Sequence, residues 1–200
     1  FPILTLNKDF REILVPNNDW LVELDFNAAE LRTLLGLAGS EQPNDDLHMW
    51  NVENVYQGRL SRDEAKQKIF AWLYNPEATD DRSSRAYKKD TVLREYWDGQ
   101  VVATPFKRKI EADKKHALNY LIQSTSSDVF LDRAVAVHKF LNDKKSHISM
   151  LIHDSIVLDL AECDMSELKK IVNIFSETRY GRYKVGVSAG KTFGTMRRIR

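Results

Sequence analysis

The stretch ISMLIHDSIVLDL, residues 148–160, decides the fold of this chain. It holds two apolar runs, at 148–152 and 156–160, on either side of the polar segment His153-Asp154-Ser155. Two strand-like runs joined by a few polar residues are typical of a β-hairpin. The stretch therefore predicts a hairpin that carries an aspartate, Asp154, at its tip.

A second apolar run also ends on an aspartate. Residues 21–25, Leu-Val-Glu-Leu-Asp, follow the turn-forming sequence Pro-Asn-Asn-Asp and predict a short buried strand. An aspartate at a strand end is usually a turn former or a helix cap. Asp25 and Asp154 together, however, would place two carboxylates at one edge of a single sheet. Such a pair suits Mg²⁺, which prefers carboxylate oxygen, and two ions about 4 Å apart can activate a hydroxyl and stabilise a leaving pyrophosphate.

The rest of the chain alternates helical and strand-like segments. Periodicity predicts helices over residues 28–38, from 45 or 46 to about 56, from the capping box at Ser61 and Glu64 to about 74, and over 84–97, 112–142 and 165–178. A break in the long helix is expected near 124–127, and extended segments at 100–104 and 183–188. This order predicts an α/β (α+β) fold, with a mixed sheet covered by helices and a helical lobe inserted at about 44–99.

Composition sets only loose bounds on function. Hydrophobic residues make up 42% of the 200, enough for a core, and 30 Lys+Arg nearly balance 29 Asp+Glu. The net charge therefore gives no argument for nucleic acid, and single basic clusters are usually solvated surface. The lone Cys163 excludes an intramolecular disulfide and a cysteine zinc cage, which suits a reducing cytoplasm. No apolar run approaches the roughly 20 residues of a membrane helix, so no membrane association is expected.

The helix after Ser61 carries two cations and two aromatics at four-residue steps, namely Arg62, Lys66, Phe70 and Tyr74. Steps of four keep side chains on one helical face. Arg and Lys are suited to a triphosphate, and aromatic rings to a sugar and a base. The alternative is an ordinary amphipathic helix with both aromatic residues in the core.

The same spacing recurs at Lys115, Asn119 and Gln123. A cation and two amides on one face suit hydrogen bonds to sugar-phosphate and to base edges in the minor groove. The alternative for this ladder, taken alone, is a solvated helix face.

Taken in order, these segments resemble the motifs of family A DNA polymerases (the bacterial polymerase I type, phage-like). The sequence Asp25-Phe26-Asn27-Ala28-Ala29-Glu30-Leu31-Arg32 is similar to the family's Asp-Tyr-Ser-x-x-Glu-Leu-Arg, and Asp46-Leu47-His48 to its Asp-Ile-His. The steps Arg62, Lys66, Phe70 and Tyr74 match its fingers helix. The segment from Lys115 to Gln123 resembles its Arg-x3-Asn-x3-Gln, and His153-Asp154-Ser155 its His-Asp-Glu hairpin. The likeness covers nearly the whole chain.

The resemblance implies a palm at 1–43 and 100–200, a fingers lobe at 44–99, and DNA synthesis on a primer–template from dNTPs with two Mg²⁺ ions. The implied catalytic residues are Asp25 and Asp154, which would bind the metals together with the Phe26 carbonyl. The implied nucleotide-binding residues are Glu30, His48, Arg62, Lys66, Phe70 and Tyr74, with Glu30 excluding a ribose 2′-hydroxyl. The implied DNA contacts are Lys115, Asn119, Gln123 and His153.

Several residues depart from the family pattern. Ser155 replaces a third carboxylate, Asn75 stands where the fingers helix normally ends in Gly, and the histidine usual near the C-terminus is missing. The short stretch between Tyr74 and Thr104 predicts reduced fingers. No thumb or 3′–5′ exonuclease fits into the residues before Asp25, so an upstream or partner segment is expected to supply them. The expected location is the cytoplasm of a bacterium or a phage-infected cell.

Two other interpretations stay open. One is another palm polymerase, such as a reverse transcriptase, although the fingers-helix spacing argues against it. The other is a catalytically impaired nucleic-acid-binding remnant, or a subunit of a split polymerase. The missing thumb, the reduced fingers and Ser155 motivate this second interpretation.

Overall fold

A computed structural model describes residues 6–75 and 77–199, with only the backbone of Lys8 described. The described chain forms two compact units. The first contains the chain up to Asn27, Phe130–Thr178 and the chain from Tyr183 onwards, and the second contains Ala28–Val129 and Arg179–Arg182. These units are defined by contacts within each. The division into a palm and a fingers lobe at 44–99 stays a prediction.

The elements, in chain order, are strands and helices of two to 24 residues. The strands are β1 (Trp20–Phe26), β2 (Val101–Ala103), β3 (Lys109–Glu111), β4 (His147–Ile152), β5 (Ser155–Leu160), β6 (Glu177–Thr178), β7 (Gly181–Arg182), β8 (Val185–Gly190) and β9 (Arg197–Arg198). The helices are α1 (Ala29–Leu37), α2 (Leu47–Asn54), α3 (Arg62–Tyr74), α4 (Asp81–Ala86), α5 (Lys89–Tyr96), α6 (Ala117–Phe140) and α7 (Leu168–Ser176). Short 3₁₀ helices cover Lys8–Ile13 and Glu162–Glu167.

The first unit is built on a sheet that, among the described residues, has five strands in the order β4-β5-β1-β8-β9. Each pairing in it is antiparallel. The predicted α/β class and the hairpin at 148–160 are confirmed, whereas the mixed strand directions of the prediction are replaced by antiparallel ones. Side chains alternate between the two faces of β1, because a strand has a period of two.

One face of β1 is buried under helix α7. Phe26 is stacked on Phe175 of α7, with ring centroids 4.2 Å apart, and meets the edge of Tyr183 at 5.4 Å. Leu24, on the same face, has no exposed surface. Full burial of such side chains contributes about 1.5–3 kcal/mol each, so this face fixes the position of β1. The opposite face carries the polar residues of the strand.

The second unit has a core of aliphatic and aromatic side chains between its helices. Leu31 and Leu35 of α1, Ile69 of α3 and Leu121 of α6 are fully or almost fully buried in it. The buried Tyr87 hydroxyl donates to Asn51 Oδ1 at 2.8 Å, which satisfies a polar group inside the core.

Helix α3 begins and ends where the sequence predicts. The Ser61 hydroxyl accepts from the Glu64 amide at 3.3 Å, and Glu64 Oε2 accepts from the Ser61 amide at 2.8 Å. These reciprocal bonds form the capping box and satisfy two amides that a helix end leaves open. Asn75 follows the last helical residue in an extended conformation, so the left-handed cap that Gly would favour is not used here.

Four features differ from the prediction. The helix expected over 84–97 is two helices, α4 and α5, separated where Lys88 adopts φ 49°. The extended segment near 100–104 pairs as β2 with β3, a partner strand that the sequence did not indicate. The long helix starts at Ala117 rather than 112, because the Asp113 carboxylate accepts the amides of Lys115 and His116 at 3.0 and 2.9 Å and caps it. The helix then runs through 124–127 without the expected break.

Within the described residues, none of the helices is both long enough and apolar enough to span a membrane.

Candidate active site

The structure brings Asp25, on β1, and Asp154, in the turn before the neighbouring strand β5, to the same end of one sheet. Asp25 pairs directly across from Ser155, the first residue of β5. Ile152 also pairs with Ser155, so β4 and β5 are joined by His153 and Asp154 alone. His153 takes φ 53°, a left-handed conformation that a tight hairpin turn requires. The two carboxylates therefore lie at one end of adjacent strands, as the two sequence patterns suggested.

The surroundings of both carboxylates disfavour their charged forms. Burial, then the charges of Asp154 and Glu23, raise the pKa of Asp25 from 3.8 to about 6, with Arg198 acting in the opposite direction. Burial also raises the pKa of Asp154, against a backbone hydrogen bond and the nearby His153. Asp25 is exposed at the surface, but the surrounding protein shields its carboxylate from water enough for desolvation to be the largest cause of the pKa shift. Like charges brought together where they are partly desolvated favour a bound proton or a bound cation.

The oxygen donors at this edge fit Mg²⁺. Two carboxylates, with the carbonyl of Phe26 next to Asp25, are hard ligands of the kind that Mg²⁺ takes from proteins. Within the described part of the chain, no three His, Cys, Asp or Glu side chains lie close enough together to hold a metal. A site of this kind leaves most coordination positions to water and substrate phosphate, which is how Mg²⁺ is commonly bound.

Two charged residues beside Asp25 were missed in the sequence. Glu23 lies two positions before Asp25, hence on the same face of β1, and a strand period of two was signal enough to find it. Arg198 pairs with Ser188, and its Nη2 lies 3.6 Å from where a Cβ on Gly186 would stand. Gly186 in turn pairs with Asp25. No local pattern indicates Arg198, because its position follows from the strand order.

In the second unit, Arg62 at the start of α3 is held by the cap of α2. Asp46 is the N-cap of α2 and accepts from the Met49 amide at 3.0 Å. The same carboxylate receives Arg62 Nε at 3.1 Å and Nη2 at 2.9 Å. The fully buried Arg32 donates to the carbonyls of Pro43 and Asp45, at 2.7 and 2.8 Å, and so fixes the loop that leads to this cap. The Arg62 guanidinium is therefore held in place by the α2 cap in the protein alone.

His48 lies beside Arg62 and Lys66 with one ring nitrogen unsatisfied. The side chain is 4% exposed and meets the ring of Phe70 edge-on, with centroids 5.6 Å apart. Burial, together with the charges of Arg62 and Lys66, lowers the pKa of His48 although Asp46 opposes the shift. Among the described residues, its buried Nδ1 has no hydrogen-bond partner. A buried polar atom left unpaired is costly, so this nitrogen would gain from a partner that the described residues do not supply.

Three members of the predicted stripe on α3 are exposed, whereas Phe70 also packs against the core. The core side of the helix is formed by Ala65, Ile69, Trp72 and Leu73, all buried. Phe70 is half-buried and stacks on Tyr74, with ring centroids 5.7 Å apart and planes 15° apart. The Tyr74 hydroxyl donates to Glu30 Oε2. The structure thus joins the aromatic end of the stripe to Glu30 at the start of α1.

The ladder of predicted DNA contacts is only partly helical. Asn119 and Gln123 lie on α6, whereas Lys115 lies in the turn before it. The Lys115 ammonium contacts Glu77, and both side chains are exposed, so this ion pair adds little stability. Within the described residues the buried Asn119 Oδ1 lacks a hydrogen-bond partner. His153, the remaining predicted contact, is exposed at the hairpin tip.

Comparison with known proteins identifies a fold. No protein-family profile and no curated protein sequence matches the chain. The structure is similar to the POL domain of Pol1 from M. smegmatis, solved in complex with a DNA primer–template and dNTP, with a TM-score of 0.72 and 17% identity. The chain has a polymerase-like fold. The similarity covers 94% of this chain but 43% of that one, so the polymerase-like chain spans less than half the length of its structural neighbour.

Proposed function

We propose that this chain is the palm-and-fingers core of a template-directed DNA polymerase of the family A type. It would transfer nucleotides from dNTPs to the 3′-hydroxyl of a primer. The observation that carries the proposal is the placement of Asp25, on β1, and Asp154, in the turn before the adjacent strand β5, at one end of the sheet. The polymerase-like fold supports it, because the structural neighbour was solved with primer–template and dNTP bound.

In this proposal the first unit holds the metals. Asp25, Asp154 and the Phe26 carbonyl would bind two Mg²⁺ ions. When bound, the ions would activate the primer hydroxyl and stabilise the leaving pyrophosphate. The raised pKa of Asp25 is consistent with this role, because bound cations would offset the burial and the repulsion that favour its protonated form.

The second unit would hold the nucleotide. Arg62 and Lys66 would bind the triphosphate, and the unpaired Nδ1 of His48 would add a hydrogen bond. A phosphate that binds Arg62 must compete with Asp46, which now holds the guanidinium at two points. Binding of the nucleotide would therefore replace the contact between Arg62 and Asp46 with one between Arg62 and a phosphate.

The remaining predicted residues would contact the sugar of the incoming nucleotide and the DNA. Phe70 would pack on the deoxyribose, and Tyr74 would close over the nascent pair or the template position. Glu30 would occupy the space of a 2′-hydroxyl. Primer and template would contact Lys115, Asn119, Gln123 and His153, with Lys115 released from its exposed pair with Glu77. An upstream or partner segment would supply the thumb and any exonuclease.

Primer extension tests the proposal and separates it from a reverse transcriptase. The protein is mixed with Mg²⁺, dNTPs and a labelled DNA primer annealed either to DNA or to RNA. We expect extension on the DNA template and much weaker extension on RNA. Absence of extension on both templates, also after addition of the upstream or partner segment, would refute the proposed activity.

A nucleic-acid-binding remnant without catalysis is a second candidate. It is favoured by Ser155, which leaves the hairpin with one carboxylate, and by Lys115, which is paired with Glu77. Divalent-cation binding distinguishes the two, because a remnant has no use for a cation site at Asp25 and Asp154. A remnant would bind primer–template equally well with EDTA or Mg²⁺ and would not bind Mn²⁺ through these residues.

A further inference from the structure

The hairpin residue Ser155 is tied to a carboxylate on the next strand. Ser155 is 3% exposed and directly follows Asp154. Its hydroxyl makes a hydrogen bond to Glu23 Oε1 at 3.1 Å and lies 3.0 Å from the Ile152 carbonyl. Glu23 belongs to β1, 132 positions earlier in the chain. The contact therefore connects β1 to the turn that carries Asp154.

Glu23 shares the polar face of β1 with Asp25. Residues two apart on a strand point to the same face, with Cα atoms about 7 Å apart. Directly paired residues of antiparallel strands also share a face, which places Ser155 on the same side as Asp25. Glu23 and Asp25 thus share a face with Ser155, and the charges of Asp154 and Glu23 both act on Asp25.

The negative charge of Glu23 has no structural use within the described residues. Glu23 forms no ion pair with a described Lys, Arg or His. A hydroxyl donor needs only an acceptor, which a neutral glutamine amide also provides. A third like charge beside two partly desolvated carboxylates opposes folding unless cations compensate it. The arrangement is therefore unfavourable for the protein alone and favourable with divalent cations present.

We propose that Glu23 is a positioning residue of the cation site: it orients the Ser155 hydroxyl and adds a third negative charge beside Asp25 and Asp154. This inference rests on the proposed function. Glu23 would act on the ions through its charge and through bound water rather than as a direct ligand, because Glu23, Asp25 and Asp154 form no three-residue ligand cluster among the described residues. The residue after Asp154 in the hairpin is a serine. The further carboxylate beside the cation site therefore comes from Glu23 on β1.

Mn²⁺ binding to the protein without DNA or nucleotide tests the inference. The affinity is measured by electron paramagnetic resonance of free Mn²⁺ for the parent, Glu23→Gln and a matched control, Glu111→Gln, which changes an exposed strand glutamate in the second unit. We expect Glu23→Gln to weaken Mn²⁺ binding about 10-fold, since groups around a metal site typically contribute 10- to 100-fold in affinity. Glu111→Gln should bind Mn²⁺ like the parent.

Two further variants separate charge from structure. Ser155→Ala removes the hydrogen bond but keeps all three charges, so it should lose less affinity than Glu23→Gln. The double variant Glu23→Gln/Ser155→Asp moves the carboxylate to the hairpin and should recover most of the lost affinity. Thermal unfolding in EDTA checks folding, and Glu23→Gln should be at least as stable as the parent because it removes a repulsive charge.

The outcomes are distinct. If Glu23→Gln binds Mn²⁺ as the parent does, or if Ser155→Ala loses as much affinity as Glu23→Gln, Glu23 is only a structural acceptor and the inference is wrong. If the parent binds Mn²⁺ through Asp25 and Asp154 while Glu23→Gln is unaffected, the proposed function survives this failure. A parent protein that binds no Mn²⁺ overturns both.

Discussion

The Tyr74 hydroxyl donates a hydrogen bond to the carboxylate of Glu30, a residue 44 positions earlier in the chain. Tyr74 ends α3, and Glu30 lies in the first turn of α1. A negative charge at a helix N-terminus is favourable in itself, which offers an ordinary reason for an acid at this position. The bond to Tyr74 adds a second reason, because it fixes the Glu30 side chain beside the aromatic end of the predicted nucleotide stripe.

Shortening Glu30 should relax sugar selectivity. Glu30→Ala removes the side chain that would clash with a 2′-hydroxyl, so we expect the ratio of rNTP to dNTP incorporation to rise about 10-fold or more. Tyr74→Phe keeps the carboxylate but removes this hydrogen bond and should raise the ratio less. Both ratios are measured by single-nucleotide extension. A ratio unchanged in Glu30→Ala, with only a lower melting temperature, would leave Glu30 with the helix-dipole role alone.

Lys66 and Lys68 provide a matched pair on α3. Lys66 is exposed on the predicted stripe beside His48, whereas the Lys68 ammonium lies over the Tyr56 ring at 5.1 Å. Lys66→Ala should reduce extension at limiting dNTP about 100-fold, because it removes a phosphate partner near developing charge. Primer–template affinity should change little, and Lys68→Ala should extend like the parent. Equal rates for both variants would show that Lys66 is solvated surface.

The raised pKa of Asp25 gives a pH dependence with a defined sign. A carboxyl whose folded pKa is raised stabilises the fold below its ordinary pKa, and this stabilisation is lost as pH rises from about 4 to about 6. Asp25→Asn should therefore melt at a higher temperature than the parent at pH 8 in EDTA, and the difference should vanish near pH 4. Mg²⁺ at pH 8 should raise the melting temperature of the parent only. A parent that is the more stable protein at pH 8 without metal would contradict this assignment.

The elements that carry the site could largely be predicted, because their signals are local. The capping box at Ser61 and Glu64 marks the start of α3, and the apolar runs around Asp154 mark the hairpin. The meeting of Asp25 with the hairpin was a hypothesis about strand neighbours that no local pattern could settle. It follows in the structure from the pairing of Asp25 with Ser155.

Long-range partners could not be predicted. The Asp46 carboxylate that holds Arg62 and the Arg198 side chain near Gly186 depend on how distant segments pack. The three-residue strand β3 is too short for a period-two pattern, so its pairing with β2 was missed. The start of α6 after residue 112 could in principle be predicted from the sequence, since Asp113 is a residue type that caps helices.

The most direct measurement is single-turnover addition of one dNTP to a labelled primer–template in Mg²⁺. It is compared among the parent, Asp25→Asn, Asp154→Asn and a control, Asp143→Asn, that changes an exposed aspartate of the same unit. Primer–template affinity is measured in parallel by fluorescence anisotropy. If the two carboxylates hold the catalytic ions, both site variants lose extension while they bind DNA nearly as the parent does, and Asp143→Asn extends normally. Extension by either site variant at the parent rate would contradict the account.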